Sequence, residues 1–486
     1  MSIPAETFFL IPGAVGTLQQ QIQQMVAEGI LRGRLRIGEK LPSSRKLATH
    51  LGVSRITVTL AYTELLSGDY LTARGRSGYF VSENAPRQPE FAMAELPQRD
   101  KVDWDRLTGR RYSSAPDLSR PEDWRSYPYP FIYGQADAAL FDHQNWRQCA
   151  LRALGRRDFE ALTADYYTRD DPMLIEYIVH SILPRRGIVA RPEEVLVTMG
   201  AQNALWMAAQ VLLGPDRLAV QENPSYPGLR VILSQIQCRT AFVDVDPEGL
   251  PPEDIPEGAD VVFTTASHQC PTNSTMPTAR RCAFLERARR EDFVIVEDDY
   301  EFEMSFLKAA SPALKSLDEE GRVIYVGSFS KSLFPGLRLG YLVGSERFIR
   351  EARSLRATVL RHPPGHIQRT TAYFLALGHY DTMLNRMNQA FRRRRVVMDE
   401  AISSQRLRVA GQGGFGGSSF WMEAPDSVDC AALAARLRPK GVLIEPGRLF
   451  FNPASAPGNY YRLAYSSIAQ GRIADGIALI AEALQQ

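Results

Sequence analysis

The stretch that most constrains this chain is 328–338, Ser-Phe-Ser-Lys-Ser-Leu-Phe-Pro-Gly-Leu-Arg, set between the apolar runs 323–326 and 339–343. Both runs read as buried strands of an α/β core. A lysine held between such strands, Lys331, has an amine that forms a Schiff base once its surroundings suppress its charge. Ser328 and Ser330 precede it and Arg338 follows it. Two hydroxyls and a guanidinium in this pattern suit three phosphate oxygens, which would anchor a cofactor carrying both an aldehyde and a phosphate.

A second stretch fits the first. Residues 294–300, Val-Ile-Val-Glu-Asp-Asp-Tyr, read as an apolar strand ending in acids and a tyrosine, about thirty residues before the lysine. A carboxylate at a strand end, Asp298, keeps a pyridine nitrogen protonated and makes the ring an electron sink. A phenol two residues on, Tyr300, reaches a ring hydroxyl. Acid, tyrosine and lysine in this order resemble the fold-type I pyridoxal-phosphate proteins, the aspartate aminotransferase superfamily.

From about residue 127 onward strands and helices alternate, as in a large α/β domain followed by a smaller one from about 400. The strand 195–198 leads into Gly200, Ala201 and Gln202, which open a helix whose first N–H groups suit a phosphate. Tyr226, in the turn after the next strand, matches the superfamily's ring-stacking aromatic. The segment 266–272 resembles its Pro-Thr-Gly stretch, with Cys270 where aminotransferases carry Asn and Asn273 in place of the glycine. The missing amide removes a hydrogen bond that tunes the cofactor, which weighs against efficient transamination. His268 either faces the ring or serves as a structural donor. Arg462, within 460–465, matches the carboxylate-binding arginine, whose planar fork gives a two-point clamp. The run Arg392 to Arg395 reads as a solvated or dimer-facing helix, and the glycine-rich 413–417 as a loop.

The N-terminal part has a different character. The whole chain of 486 residues carries a net charge of +2, yet residues 1–82 hold nine Lys/Arg against five Asp/Glu. That local basic excess is what a nucleic-acid contact needs. Residues 17–36 read as an amphipathic helix, with Leu18, Ile22, Met25, Val26 and Leu31 near one face. Ser43 or Ser44 caps a short helix ending at Gly52, and Ser54 caps a second that would present Arg55, Thr57 and Thr59 outward. Residues 70–82 read as a hairpin that lays Arg74 and Arg76 along phosphates. The pattern from Gly33 to Arg45, the Ser-Arg-x-Thr-Val at 54–58, and Gly75 with Gly78 resemble the GntR-type winged helix. Resemblance places DNA contacts at Ser44, Arg45, Ser54, Arg55 and Thr57 as well.

Between the two parts, 83–126 reads as a linker, rich in Pro, Arg, Asp and Ser; as a coil it would span about 35 Å. Trp104 and Trp124 within it point to docking on a surface. Five scattered cysteines form no CxxC pair, no run has the length of a membrane span, and the N-terminus lacks signal-peptide features. A cytoplasmic protein without a metal site is expected.

A GntR-type head (1–82), a long linker and a fold-type I aminotransferase-like body (127–486) together resemble the MocR subfamily of bacterial transcription regulators. The resemblance implies pyridoxal 5'-phosphate on Lys331, Asp298 at the pyridine nitrogen, Tyr300 at the ring hydroxyl, and Ser328, Ser330 and Arg338 at the phosphate. It further implies a head-to-tail, domain-swapped homodimer on double-stranded operator DNA. An amino compound would be sensed through aldimine exchange at Lys331, with control of genes for its catabolism or transport. The GABA-responsive members carry an arginine where this chain has Gly228, so GABA is disfavoured. Taurine, ectoine-derived and other amino acids stay open, as does control of vitamin B6 synthesis by the cofactor itself. The chain is expected to regulate rather than turn over substrate; a working aminotransferase with an appended head is the competing reading.

Overall fold

The computed structural model describes residues 3–11, 16–86, 102–109, 121–309 and 311–485. It divides into two compact units, Met1–Arg111 and Tyr112–Gln486, a boundary inside the segment read as linker. Most of that linker lies outside the described residues.

The first unit is a winged helix. Its helices are α1 (Leu18–Leu31), α2 (Ser44–Leu51) and α3 (Arg55–Ser67), followed by a hairpin of β1 (Leu71–Ala73) and β2 (Tyr79–Val81) paired Leu71 to Val81. α1 ends five residues earlier than its sequence pattern predicts, because Arg32 and Gly33 leave the helix and Gly33 takes φ +69°. Leu18 is solvent-exposed, and Ile22, Val26 and Ile30 form the buried stripe instead. Of the two candidate caps on α2, Ser43 is the one used, accepting from Lys46 N at 3.2 Å. Gly52 closes that helix at φ +66°, a left-handed turn that a glycine adopts without strain. Ser54 caps α3 through Thr57 N at 3.1 Å. Tyr62 is buried and ties α3 to the turn before α2, its hydroxyl donating to Pro42 O at 3.0 Å.

The second unit is built on seven strands: β3 (Val195–Thr198), β4 (Leu218–Asn223), β5 (Arg239–Asp244), β6 (Val261–Thr264), β7 (Val294–Asp298), β8 (Val323–Ser328) and β9 (Gly340–Val343). Their order across the sheet is 3-9-8-7-6-4-5, with β9 antiparallel to both neighbours and the other pairs parallel. Alternate residues feed two cores, as the pleat requires. Leu196, Val296, Val326 and Leu342 pack on one side with α4 (Ala201–Leu212), while Val195, Val197, Tyr325, Tyr341 and Val343 pack on the other. A smaller antiparallel sheet of four strands, Arg408–Val409, Ser419–Glu423, Tyr460–Ala464 and Glu445–Pro446, forms the C-terminal part.

One reading needs correction here. The arginine run is solvated only in its first half: in the helix His379–Ser404, Arg394 and Arg395 are buried. Arg394 pairs with Asp137 and donates to Ser466 O; Arg395 pairs with Asp399 and stacks over Phe420 at 3.9 Å. Two guanidiniums thus knit the small sheet to the body, leaving Arg392 and Arg393 exposed. The tryptophans also part ways: Trp124 is buried against Ile132 and Leu443, whereas Trp104 is 59% exposed in a short helix, Trp104–Leu107.

Candidate functional site

At the end of β7 three consecutive acids meet three different fates, because strand geometry sends neighbours to opposite faces. Glu297 accepts from the backbone N–H groups of Leu314 and Lys315 at 2.8 and 2.9 Å. Asp299 serves as an internal counter-ion, its Oδ2 taking Arg186 Nε at 2.6 Å and the Tyr325 hydroxyl at 2.8 Å while its Oδ1 is buried without a partner. Asp298 alone turns toward the lysine turn, and its Oδ1 is buried without a hydrogen-bond partner. Burial first, then the charges of Asp299 and Glu222, push its carboxyl up to about 7.

Lys331 follows β8 and extends its Nζ over the Tyr133 ring, 4.1 Å from the centroid. Gly134 lies beside it at φ +69°, a backbone conformation that favours glycine, and a Cβ there would come 2.0 Å from Nζ and push the lysine's tip aside. Ser328 is buried and accepts from Ser330 N at 3.2 Å, which folds the turn so that both serines lie just before the lysine. Arg338 adopts φ +51°, donates to Met199 O at 3.2 Å, and lays its guanidinium against Gly200. A Cβ at Gly200 would come within 3.4 Å of that guanidinium. Gly200 in turn opens α4, so Arg338 lies against the start of the helix that Ala201 and Gln202 continue. Tyr226 caps the start of α5 (Pro227–Ile236) and donates to Gln202 Oε1 at 3.3 Å. Its ring covers Gly228 so closely that a Cβ there would meet ring atoms at 2.5 Å. An arginine at 228 is therefore incompatible with this placement of Tyr226.

The loop after β6 is shaped by Glu222, which takes Thr264 Oγ1, Thr265 N and Oγ1, and Gln269 Nε2 at 2.6–3.1 Å. Cys270 N is held by Thr265 Oγ1 at 3.1 Å, and its thiol packs with Trp421 and Phe450 against Tyr226 and Tyr300. Burial pushes that thiol up to about 12, with Arg462, Asp298 and Lys331 all close enough to act on it. Tyr300 is likewise raised well above the usual phenol range by burial. His268 is 4% exposed, and neither ring nitrogen has a hydrogen-bond partner among the described residues. Burial lowers its pKa and opposes its protonation, despite Glu301 and Asp299 nearby.

Arg462 is buried opposite Glu445 in the small sheet's register, and its Nε donates to Glu445 Oε2 at 2.9 Å. The guanidinium lies 4.0 Å from the Tyr133 centroid and 4.7 Å from that of Phe450. Lys331 and Arg462 thus share one aromatic ring, which holds the two cationic centres within about 8 Å of each other.

In the head, Arg45 and Arg55 are exposed at the starts of α2 and α3, with Arg55 Nε on Ser44 Oγ at 3.5 Å. Ser54 and Thr57 are committed to the helix start, their hydroxyls 2.8 Å apart. Thr57 and Thr59 are half-buried rather than fully outward, and Ile56 and Leu60, on either side of that pair in the chain, are exposed. Arg74 stacks over Phe80 at 4.9 Å on the wing; Arg76 lies in the wing's turn, its side chain outside what is described.

Comparison with known proteins decides the family. The family described as "Bacterial regulatory proteins, gntR family" matches residues 18–81, and "Aminotransferase class I and II" matches 142–465. The HTH-type transcriptional regulator TauR of Rhodobacter capsulatus is 61% identical over 487 residues, covering 100% of both chains. The chain is a MocR-type regulator of the GntR family. The probable rhizopine catabolism regulatory protein MocR of Rhizobium meliloti is 30% identical, covering 78% of this chain and 76% of that protein. The pyridoxine biosynthesis regulator PdxR of Corynebacterium glutamicum is also 30% identical, over 79% and 78%. Among solved structures, Pyrococcus horikoshii kynurenine aminotransferase matches with a TM-score of 0.68 and 25% identity, covering 76% of this chain and 95% of that one.

In this MocR-type body the residues present fit pyridoxal phosphate. A buried Asp298 oxygen without a partner beside the lysine turn suits a ring N–H, and a guanidinium against the glycine that opens α4 suits a phosphate. Among the described residues no cluster of His, Cys, Asp and Glu could hold a metal ion, and no helix is long and apolar enough to cross a membrane. Two of the residues gathered here carry no motif in the sequence: Glu445 and Phe450 enter only because the fold brings them to Arg462.

The Asp298 environment has a measurable cost. Its carboxyl titrates near 7 folded and near 3.8 unfolded, so the folded chain holds the extra proton between those values. Stability contributed by this group therefore falls as pH rises from about 4 to about 7, by up to about 4 kcal/mol in cofactor-free protein. Asp298→Asn, which cannot ionise, should escape that loss. Thermal melts of both cofactor-free proteins from pH 4.5 to 7.5 are expected to diverge, the wild type falling relative to the variant.

Proposed function

We propose that this MocR-type regulator carries pyridoxal phosphate on Lys331 and responds to a small amine bearing a strong acid, taurine first among the candidates. The observation that carries this reading is the 61% identity to TauR, which spans the DNA head and the Lys331 body alike. When bound, the cofactor supplies an aldehyde that reacts reversibly with primary amines. The chain's own residues would do the rest. Asp298 holds the ring nitrogen's proton, Tyr300 faces the ring hydroxyl, and Tyr226 covers the ring. Gly200, Ala201, Gln202, Ser328, Ser330 and Arg338 hold the phosphate, with His268 buried near Asp299 and Glu301. Arg462 grips the effector's acid, and its closeness to Lys331 across Tyr133 favours a short spacing between amine and acid. Taurine, with two carbons between amine and sulfonate, has such a spacing. An effector that binds one arrangement better shifts the population, and through a head-to-tail homodimer the heads on DNA. The regulated genes would serve catabolism or transport of that amine.

Cys270 and the whole-chain likeness to regulators weigh against steady transamination. Incubation of cofactor-loaded protein with taurine should change the visible spectrum at stoichiometric amounts without continuous release of an aldehyde or keto acid. Multiple turnovers would favour the aminotransferase reading. The likeness to PdxR supports a second reading, in which the cofactor itself is the signal.

On the head, Arg45→Ala or Arg55→Ala should weaken operator binding by about 1–3 kcal/mol for a base-edge contact. For a phosphate contact it should lower the salt slope by roughly one instead. Titrations at several salt concentrations separate the two outcomes; unchanged affinity and slope in both variants would remove these arginines from the interface.

A further inference from the structure

Helix α3 presents an apolar pair that its own core does not use. Val58, Ala61, Tyr62 and Leu65 are buried, while Ile56 is 71% and Leu60 48% exposed. Four residues apart, these two share a face of the helix. The surroundings are cationic: from Ser43 to Thr63 there is no Asp or Glu, whereas Arg45, Lys46 and Arg55 are exposed. The small hydroxyls of this region are committed to the chain itself. Thr59 Oγ1 donates to Arg55 O and Thr63 Oγ1 to Thr59 O, each at 2.9 Å, and Thr49 Oγ1 to Arg45 O at 3.0 Å. Ser54 Oγ is taken up by Thr57. What α3 offers a groove is therefore one arginine at its start and a pair of branched aliphatic side chains.

We infer that this regulator reads thymines in its operator through their 5-methyl groups, with Ile56 as the principal reader and Leu60 one turn further on. The inference rests on the head being a DNA-binding winged helix. In such heads the second helix of the helix-turn-helix enters the major groove. There, the thymine methyl is the base-edge group that an aliphatic side chain recognises, because every other edge demands a donor or acceptor. An acid-free, basic surround matches a polyanion, and a protein partner of the apolar pair would gain nothing from it.

Uracil differs from thymine in that methyl alone, which gives a clean test. A duplex selected by the full-length wild-type protein from a random pool is resynthesised with single dT positions replaced by dU. Wild type should lose about three- to fivefold in affinity at one or two positions per half-site. Ile56→Ala should bind the thymine duplex weaker by a similar factor and be indifferent to dU at those positions. Its melting temperature and its low-salt binding to non-selected DNA should match wild type, since an exposed side chain supports neither fold nor phosphate contacts. Wild-type tolerance of every dU replacement would overturn the inference, as would equal dU sensitivity in wild type and variant. A change of oligomeric state in Ile56→Ala without DNA would overturn it too, marking the pair as a protein contact. Failure of wild type to bind any duplex at low salt would overturn the head assignment itself.

Discussion

Lys331→Ala is expected to yield a folded protein without covalently held cofactor: no visible absorbance after gel filtration and nothing for borohydride to fix. The side chain sits in the turn between β8 and β9, half-buried over Tyr133, and contributes no residue to the cores on either side of the sheet. Truncation there opens space beside Gly134 without removing a core contact, so stability should change little. Asp298, Arg338 and the start of α4 persist in the variant and would still hold the cofactor by its ring and phosphate, weakly and reversibly. Response to the effector should vanish. Basal DNA binding should survive, because α1 to α3 and the wing have their own core. A normal, borohydride-fixable spectrum in this variant would reject Lys331 as the anchor.

Arg462→Ala should raise the effector concentration needed by roughly thirty- to a thousandfold while leaving cofactor attachment intact. The guanidinium is 7% exposed, held at Nε by Glu445 and flanked by Tyr133 and Phe450, so its orientation is set before any ligand arrives. A charge-assisted, two-point grip in such a site is worth about 2–4 kcal/mol. Removal also leaves the Glu445 carboxylate without its main counter-ion near the effector's acid, which adds repulsion to the loss. Arg462→Lys should recover part of the affinity, since an ammonium keeps the charge and loses the fork. Titrations of the three proteins, read by visible spectrum and operator binding, give the midpoints. An unchanged midpoint in Arg462→Ala would mean that the effector carries no acid at this site, and would favour the vitamin B6 reading.

The parts of the fold that were legible in the sequence are those encoded locally. The runs 294–298 and 323–328 are unbroken apolar stretches ending in polar residues, and they become the central strands whose ends frame the site. Ser54 and Gly52 mark helix boundaries by capping chemistry that depends on one or two neighbours. What was hidden depends on partners far away in the chain. Nothing near Asp299 announces that Arg186, 113 residues earlier, will neutralise it and leave Asp298 as the acid facing the lysine. The pairing of Arg462 with Glu445 is a matter of sheet register, and its sandwich by Tyr133 requires a segment some 330 residues upstream. The arginines at 392–395 misled for the same reason: their acceptors, Asp137, Phe306 and Ser466 among them, come from three separate segments. The contact between the Thr57 and Ser54 hydroxyls was likewise not legible, because it depends on how the helix start closes.

The most direct test of the central claim is one titration of cofactor-loaded wild type with taurine, in which the visible spectrum and operator binding are recorded on the same samples. If the Lys331 site is the sensor, both signals should move with a common midpoint, and Lys331→Ala should show neither. A change in DNA binding with a motionless spectrum, or a response that survives in Lys331→Ala, would contradict the account.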